Sequence, residues 1–332
     1  MPAEAAPPRH GRPTLPLGPP PGPPATSGGR GDDADPLPTR RRLLGAGRRL
    51  AIAALAAGGT TAAYALAIEP AFRLVVREYR LSLPGWGARP PLSLCLLADP
   101  HCGGPWMPLA RLHRIVALAN ALRPDLHLLL GDLPAHHRFA APVPMDEAAA
   151  ILSGLRAPLG TLAVLGNHDW WDDAAVQRRR AGRPAIEARL RRAGIPVLAN
   201  AACRLAHGDG IWLCGTDSML PYRAAQHLRA DDLPATLAQL RDDAPAILLA
   251  HEPDLFPEVP ARIALTLSGH THGGQVRLFG HSPVVPSRYG NRYAYGLVEE
   301  AGRRLIVSGG LGCSILPVRL GVPPELTLVH LA

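Results

Sequence analysis

From residue 70 onward, short apolar runs alternate with polar, glycine-rich breaks. The runs fall at 92–97, 126–130, 161–165, 211–214, 246–250, 263–267, 305–307 and 325–331, with an extended lead-in over 73–83. Runs of this length bounded by turn residues predict buried strands. Between them, Leu109, Leu112, Ile115, Val116, Ala119 and Leu122 recur at helical spacing, as do Ala149, Ile151, Leu152 and Leu155. Strands and helices alternate early and strands dominate late, so the pattern predicts an α/β domain of two sheets packed face to face with helices outside. No internal repeat is evident.

The pattern changes before residue 70. Residues 1–38 hold twelve of the 37 prolines, spaced by Gly, Ser and Ala, and cannot bury enough apolar surface to fold. Residues 39–69 then read Thr39-Arg40-Arg41-Arg42-Leu43-Leu44, similar to the twin-arginine export motif, followed by an apolar run over 50–68 broken by Gly58-Gly59-Thr60-Thr61. As a helix that run spans about 28 Å at ~1.5 Å per residue, barely a bilayer core. It suits an exported leader or a membrane anchor, with Ala65-Leu66-Ala67 as a cleavage site if the leader is removed. A buried helix of the folded domain is the competing reading. This division leaves 70–332 as one domain.

Composition sharpens the picture at two points. The formal charge is +8, but the first 50 residues carry eight arginines against four acids, so half the excess lies outside the domain. The remainder is dispersed, and the Arg178-Arg179-Arg180 and Arg191-Arg192 clusters fit a solvated helix, which argues against nucleic acid as a partner. Cys95, Cys102, Cys203, Cys214 and Cys313 show no C-x-x-C spacing, so neither a zinc knuckle nor a disulfide framework is implied. Cys95 and Cys214 read as core, and Cys102 as core or site lining.

The chemistry gathers just past the apolar runs. Asp99-Pro100-His101, Gly131-Asp132, Gly166-Asn167-His168-Asp169, Ala250-His251-Glu252 and Gly269-His270-Thr271-His272-Gly273-Gly274-Gln275 each follow a predicted strand. Taken singly, each block is bland: a loop histidine, a turn, a helix cap. Five in this order, over roughly residues 92–332, resemble the calcineurin-like metallophosphoesterases. The tail from Val307-Ser308-Gly309-Gly310 through Pro317-Val318-Arg319 to Pro323-Pro324-Glu325 resembles a bacterial branch of that family, membrane-associated or exported. That branch includes phosphodiesterases and the UDP-2,3-diacylglucosamine pyrophosphatases of lipid A synthesis.

The resemblance implies a four-layer α/β/β/α sandwich and two divalent transition-metal ions, drawn from Mn, Fe, Zn, Co or Ni. It implies Asp132 as the bridging ligand, Asp99, His101 and His272 completing one site, and Asn167, His251 and His270 completing the other. Two such cations lower the pKa of bound water and clamp the attacking and leaving oxygens of a phosphoester. His168 is expected to protonate the leaving oxygen. Asp169 is expected either to orient His168 or to cap the helix near Asp172 and Ala174. His136 and His137, soon after Asp132, read as solvated or as approaching the site. Trp106, Met107, Trp170 and Trp171 read as core packing or as a wall for a lipid or base.

Two departures narrow the reading. The family's G-D-x-x-D becomes Gly131-Asp132-Leu133-Pro134-Ala135, and the arginines of its protein phosphatases are absent, with His136 and Leu165 in their places. The expected activity is hydrolysis of phosphodiester or pyrophosphate bonds, in lipid-linked substrates for some members, at the cytoplasmic membrane or exported to the periplasm and cell envelope. A UDP-2,3-diacylglucosamine pyrophosphatase is the narrower alternative. A metal-binding envelope scaffold is the non-enzymatic one; it would be expected to have lost some of these side chains, and all are present.

Overall fold

The computed structural model describes residues 40–332. The proline-rich arm over 1–38, and Thr39 of the arginine motif, lie outside the described residues. A helix runs over Arg40–Ala63, widens to π turns over Tyr64–Ile68 and ends with Glu69–Phe72. Its stretch Ile52–Phe72 is long and apolar enough to cross a membrane. Ile52, Leu55, Leu66, Ile68 and Phe72 are exposed on it, whereas Ala65, Glu69 and Pro70 are buried. The helix therefore continues past the expected boundary at residue 69, and the Ala65-Leu66-Ala67 triplet lies within it.

Beyond the helix the chain builds two sheets. The first has the order Val75–Leu81, Glu325–Leu331, Leu92–Leu97, Leu126–Leu129, Thr161–Ala163. Its pairs are parallel except that Glu325–Leu331 runs antiparallel to Leu92–Leu97. The second has the order Gly296–Glu300, Arg303–Val307, Ile263–Ser268, Ala246–Leu249, Ile211–Gly215, Ala201–Leu205, parallel inside and antiparallel at both edges.

The two-residue period of a strand assigns its faces. Leu94, Leu96 and Leu128 pack with Leu213, Ile247 and Leu265 in the apolar layer between the sheets. Cys95, Leu97 and Leu129 point the other way, onto Leu112 and Ile115 of the helix Leu109–Ala121, Leu152 of Met145–Leu152 and Leu190 of Ala185–Arg192. On the far side, Cys214 and Leu248 meet Leu233, Phe256 and Tyr293. Strands covered on both faces need unbroken apolar runs, which is why the runs in the sequence mark them. Truncating one of these leucines to alanine costs roughly 2–5 kcal/mol. The result is the expected four layers.

Both edge strands of the second sheet, Ala201–Leu205 and Gly296–Glu300, escape the hydrophobic pattern because they are only half covered. Arg178 and Arg179 lie exposed on the helix Ala174–Arg179, and Arg191 and Arg192 pair with Glu187 and Asp146. The five cysteines are unpaired; Cys102 is packed in the core, where burial pushes its thiol up to about 12.

Candidate metal centre

Parallel strands present their carboxyl ends at one edge, and loops leaving that edge converge. Here five such ends from both sheets do so. Asp99 and His101 follow Leu92–Leu97, Asp132 follows Leu126–Leu129, Asn167 and His168 follow Thr161–Ala163, His251 follows Ala246–Leu249, and His270 and His272 follow Ile263–Ser268. All eight side chains are buried. Donor atoms within 4.8 Å of one another form the groups Asp99, His101, His272 and Asp132, His251, His270, with a third group of His101, Asp132 and His168.

The loops turn sharply to achieve this. Asp99, His101, Asp132, His270 and His272 all have left-handed backbone, with φ between 42° and 70°. Asp and His are among the few non-glycine residues that enter this region with any frequency. Gly166 admits the approach of Asp132 and His251, since a Cβ there would overlap the Asp132 carboxylate and the His251 ring. Gly269 likewise leaves room for Asp99 Oδ2.

Hydrogen bonds set the ring orientations. His101 Nδ1 lies 3.1 Å from Pro134 O, and His251 Nδ1 lies 2.6 Å from Leu130 O. A carbonyl only accepts, so each Nδ1 carries a proton and each Nε2 turns inward, the orientation metal-ligating histidines adopt. His251 Nε2 and Asp99 Oδ2 are fully buried yet have no hydrogen-bond partner. Orphaned donor atoms of this kind, in a set of imidazoles, carboxylates and one amide, fit divalent transition metals. His270 Nδ1 faces Asn167 Oδ1 at 2.8 Å, and His101 Nε2 faces His272 Nε2 at 3.0 Å.

The charges follow from burial. It pushes the Asp99 carboxyl up to about 7, with His251 opposing and Asp132 reinforcing the rise. It drives His101 and His270 down to about 4, leaving neutral rings at physiological pH. Burial opposes charge on Asp132 and His251 too, but their mutual attraction wins, holding Asp132 well below and His251 well above their ordinary ranges. Asp132 Oδ2 lies 3.3 Å from His251 Nε2 and 3.7 Å from His101 Nε2, so this carboxylate touches both ligand groups.

Several neighbours differ from expectation. Asp169 makes no hydrogen bond with His168, and the helix Ala174–Arg179 is capped by Asp173. Its carboxylate instead accepts the backbone N–H groups of Asp132, Leu133 and Gly166. His137 is buried, and half-buried His136 approaches the site, its Nδ1 3.0 Å from His168 Nδ1. His168 Nε2 approaches Ser314 Oγ at 3.4 Å, and its ring lines a cavity of about 380 Å³ over Asp132, Asn167 and His270. Of the four apolar candidates only Trp171 lines that cavity; Trp170 and Met107 are core, and Trp106 donates to Leu66 O.

Arg319 stands in the tail quoted above, but the sequence gives it no role. Fully buried, its guanidinium donates to the carbonyls of Gly310, Gly312 and Val322, and its Nη2 lies 3.1 Å from His272 Nδ1.

Comparison with known proteins agrees with this geometry. The sequence profile described as Calcineurin-like phosphoesterase matches residues 92–274. The chain is 30% identical over 302 residues to the uncharacterized metallophosphoesterase YkuE of Bacillus subtilis, covering 88% of this chain and 96% of that protein. It is 30% identical over 301 residues to the phosphodiesterase YaeI of Escherichia coli, covering 88% and 99%. A bovine transmembrane protein with metallophosphoesterase domain matches at 31% identity over 71% of this chain and 52% of its own length. The strand ends that carry these donor residues fall inside the matched region, and the chain belongs to the calcineurin-like phosphoesterases, metal-dependent hydrolases of phosphoric esters.

Proposed function

We propose that this protein is a membrane-tethered or exported phosphodiesterase, cleaving phosphodiester or pyrophosphate bonds at a two-metal centre. One observation carries the reading: donor atoms from five strand ends converge on Asp132, and two of them, Asp99 Oδ2 and His251 Nε2, are buried without a hydrogen bond. Asp99, His101 and His272 would hold one ion and Asn167, His251 and His270 the other, with Asp132 common to both. Bound there, two divalent cations supply a nucleophile that exists at neutral pH and positive charge opposite the phosphoryl oxygens.

The remaining work falls to the chain itself. Asp132 is fixed by its own backbone, whose N–H donates to Asp169, and by the His168 N–H, which donates to Asp132 Oδ1 at 2.7 Å. His168 faces the cavity and is placed to give a proton to the leaving oxygen, with His136 and Ser314 orienting its ring. Arg138 and Arg223 line the same cavity, Arg223 lying over the Trp171 ring, and offer charge to a second anionic group of the substrate.

Bis-p-nitrophenyl phosphate tests the reading directly. The purified protein reconstituted with Mn, Zn, Co, Ni or Fe should release p-nitrophenol and lose that activity on chelation. Absence of turnover with every one of these metals would remove the assignment.

A further inference from the structure

Next to the metal-centre cavity lies a second one, of about 300 Å³, whose wall is almost wholly apolar. Val276, Val284, Pro286, Ile315, Leu316 and Val318 supply most of its apolar surface, and Thr271, His272, Gln275 and Ser314 also line it. Pro286, Ser314 and Ile315 line both cavities, so the two adjoin. We propose that this groove holds a hydrocarbon chain of the substrate, which makes the substrate an amphiphilic phosphoester. The proposal deepens the phosphodiesterase reading and rests on it.

Three observations favour a chain over other occupants. First, the groove's apolar side chains face water: Val284 and Ile315 are each 71% exposed and Leu316 51%. That is costly unless something apolar covers them at some stage. Second, the groove is preformed. Gln275 clamps its loop from both sides, donating through Nε2 to Leu316 O at 2.9 Å and accepting the Ser314 N–H at 2.7 Å. Third, the loop ends at the apolar helix: the Arg319 N–H donates to Ala65 O at 2.9 Å, and Trp106 Nε1 donates to Leu66 O. Leu66, Ile68 and Phe72 are exposed on that helix, so the groove lies beside a segment suited to a bilayer. A substrate drawn from the bilayer would keep its chain in apolar surroundings throughout.

The test is the affinity of the metal-loaded, full-length protein for alkylphosphonates from methyl to octyl, measured by calorimetry below their micelle concentrations. Each methylene carried into the groove strengthens binding by up to about fourfold, so octylphosphonate should bind at least about 100-fold more tightly than methylphosphonate. Val284→Asp and Leu316→Asp, at positions exposed enough not to threaten folding, should flatten that dependence. Equal affinity for methyl- and octylphosphonate overturns the groove but leaves the phosphodiesterase reading standing. Chain-length dependence without turnover of bis-p-nitrophenyl phosphate leaves the groove and overturns the phosphodiesterase reading. If the aspartate variants keep the full dependence, or lose only association with phosphatidylglycerol vesicles, the chain does not occupy this groove and the proposal falls.

Discussion

Asp169 Oδ2 accepts the backbone N–H of Asp132 at 2.7 Å, across 37 positions of sequence. The same carboxylate takes Leu133 N at 2.9 Å and Gly166 N at 2.8 Å, so it staples the loops that leave two adjacent strands. Asp132 thereby keeps its left-handed backbone and its aim. Asp169→Asn presents an amide N–H₂ to at least one of these donors. A buried donor left unsatisfied costs about 1–3 kcal/mol. The metal-free variant should lose stability in that range, seen as a lower melting temperature, and bind its metals more weakly. Unchanged melting and metal affinity would show that the staple contributes nothing.

Asp132 touches both ligand groups, and Asp99 belongs to one. Asp132→Asn should therefore lower occupancy at both metals and abolish hydrolysis, while Asp99→Asn chiefly weakens one. Elemental analysis decides the point: two full equivalents retained by the Asp132 variant would strip it of the bridging role.

His168→Ala should keep both metals and slow turnover by roughly 10²–10⁴-fold for poor leaving groups. The loss should shrink for p-nitrophenyl esters, whose leaving group needs no proton. Equal losses for alkyl and p-nitrophenyl esters would end the general-acid assignment.

The address can be probed through the arginines before the apolar helix. Changing Arg40→Lys, Arg41→Lys and Arg42→Lys together keeps the charge that orients a membrane segment and should still hold the domain on the cytoplasmic side if a twin-arginine route reads the guanidinium groups. Protease added to spheroplasts should digest the unmodified domain and spare the variant. An unmodified domain already shielded from protease would place it in the cytoplasm and remove export from the reading.

The sequence was most legible where one strand is covered on both faces and then hands over to a polar loop. Leu92–Leu97 and the Asp99-Pro100-His101 block show this best, because both the apolar run and the chemistry are local. Ala201–Leu205 and Gly296–Glu300 lie at sheet edges, where half the side chains meet solvent and the apolar signal fades. His136 and Arg319 were opaque for another reason. Each acts on a residue far off in sequence, His168 at 32 positions and His272 at 47, and nothing local reveals that meeting. Asp169 was visible as a polar residue at a helix start, but its bonds to the Asp132 loop depend on how two strands lie side by side.

The strand Glu325–Leu331 sits between Val75–Leu81 and Leu92–Leu97, and Arg77 meets Glu325 across 248 positions. Backbone N–H groups of Leu311 and Gly312, in the segment leading to it, donate to Ala98 O and Asp99 O. Contacts this distant in sequence make folding slow. On the ribosome, while synthesis stops short of this strand, Val75–Leu81 and Leu92–Leu97 have nothing between them and the first sheet stays split. Nascent chains halted before residue 325 should therefore fail to retain metal, although they already contain all seven proposed ligands.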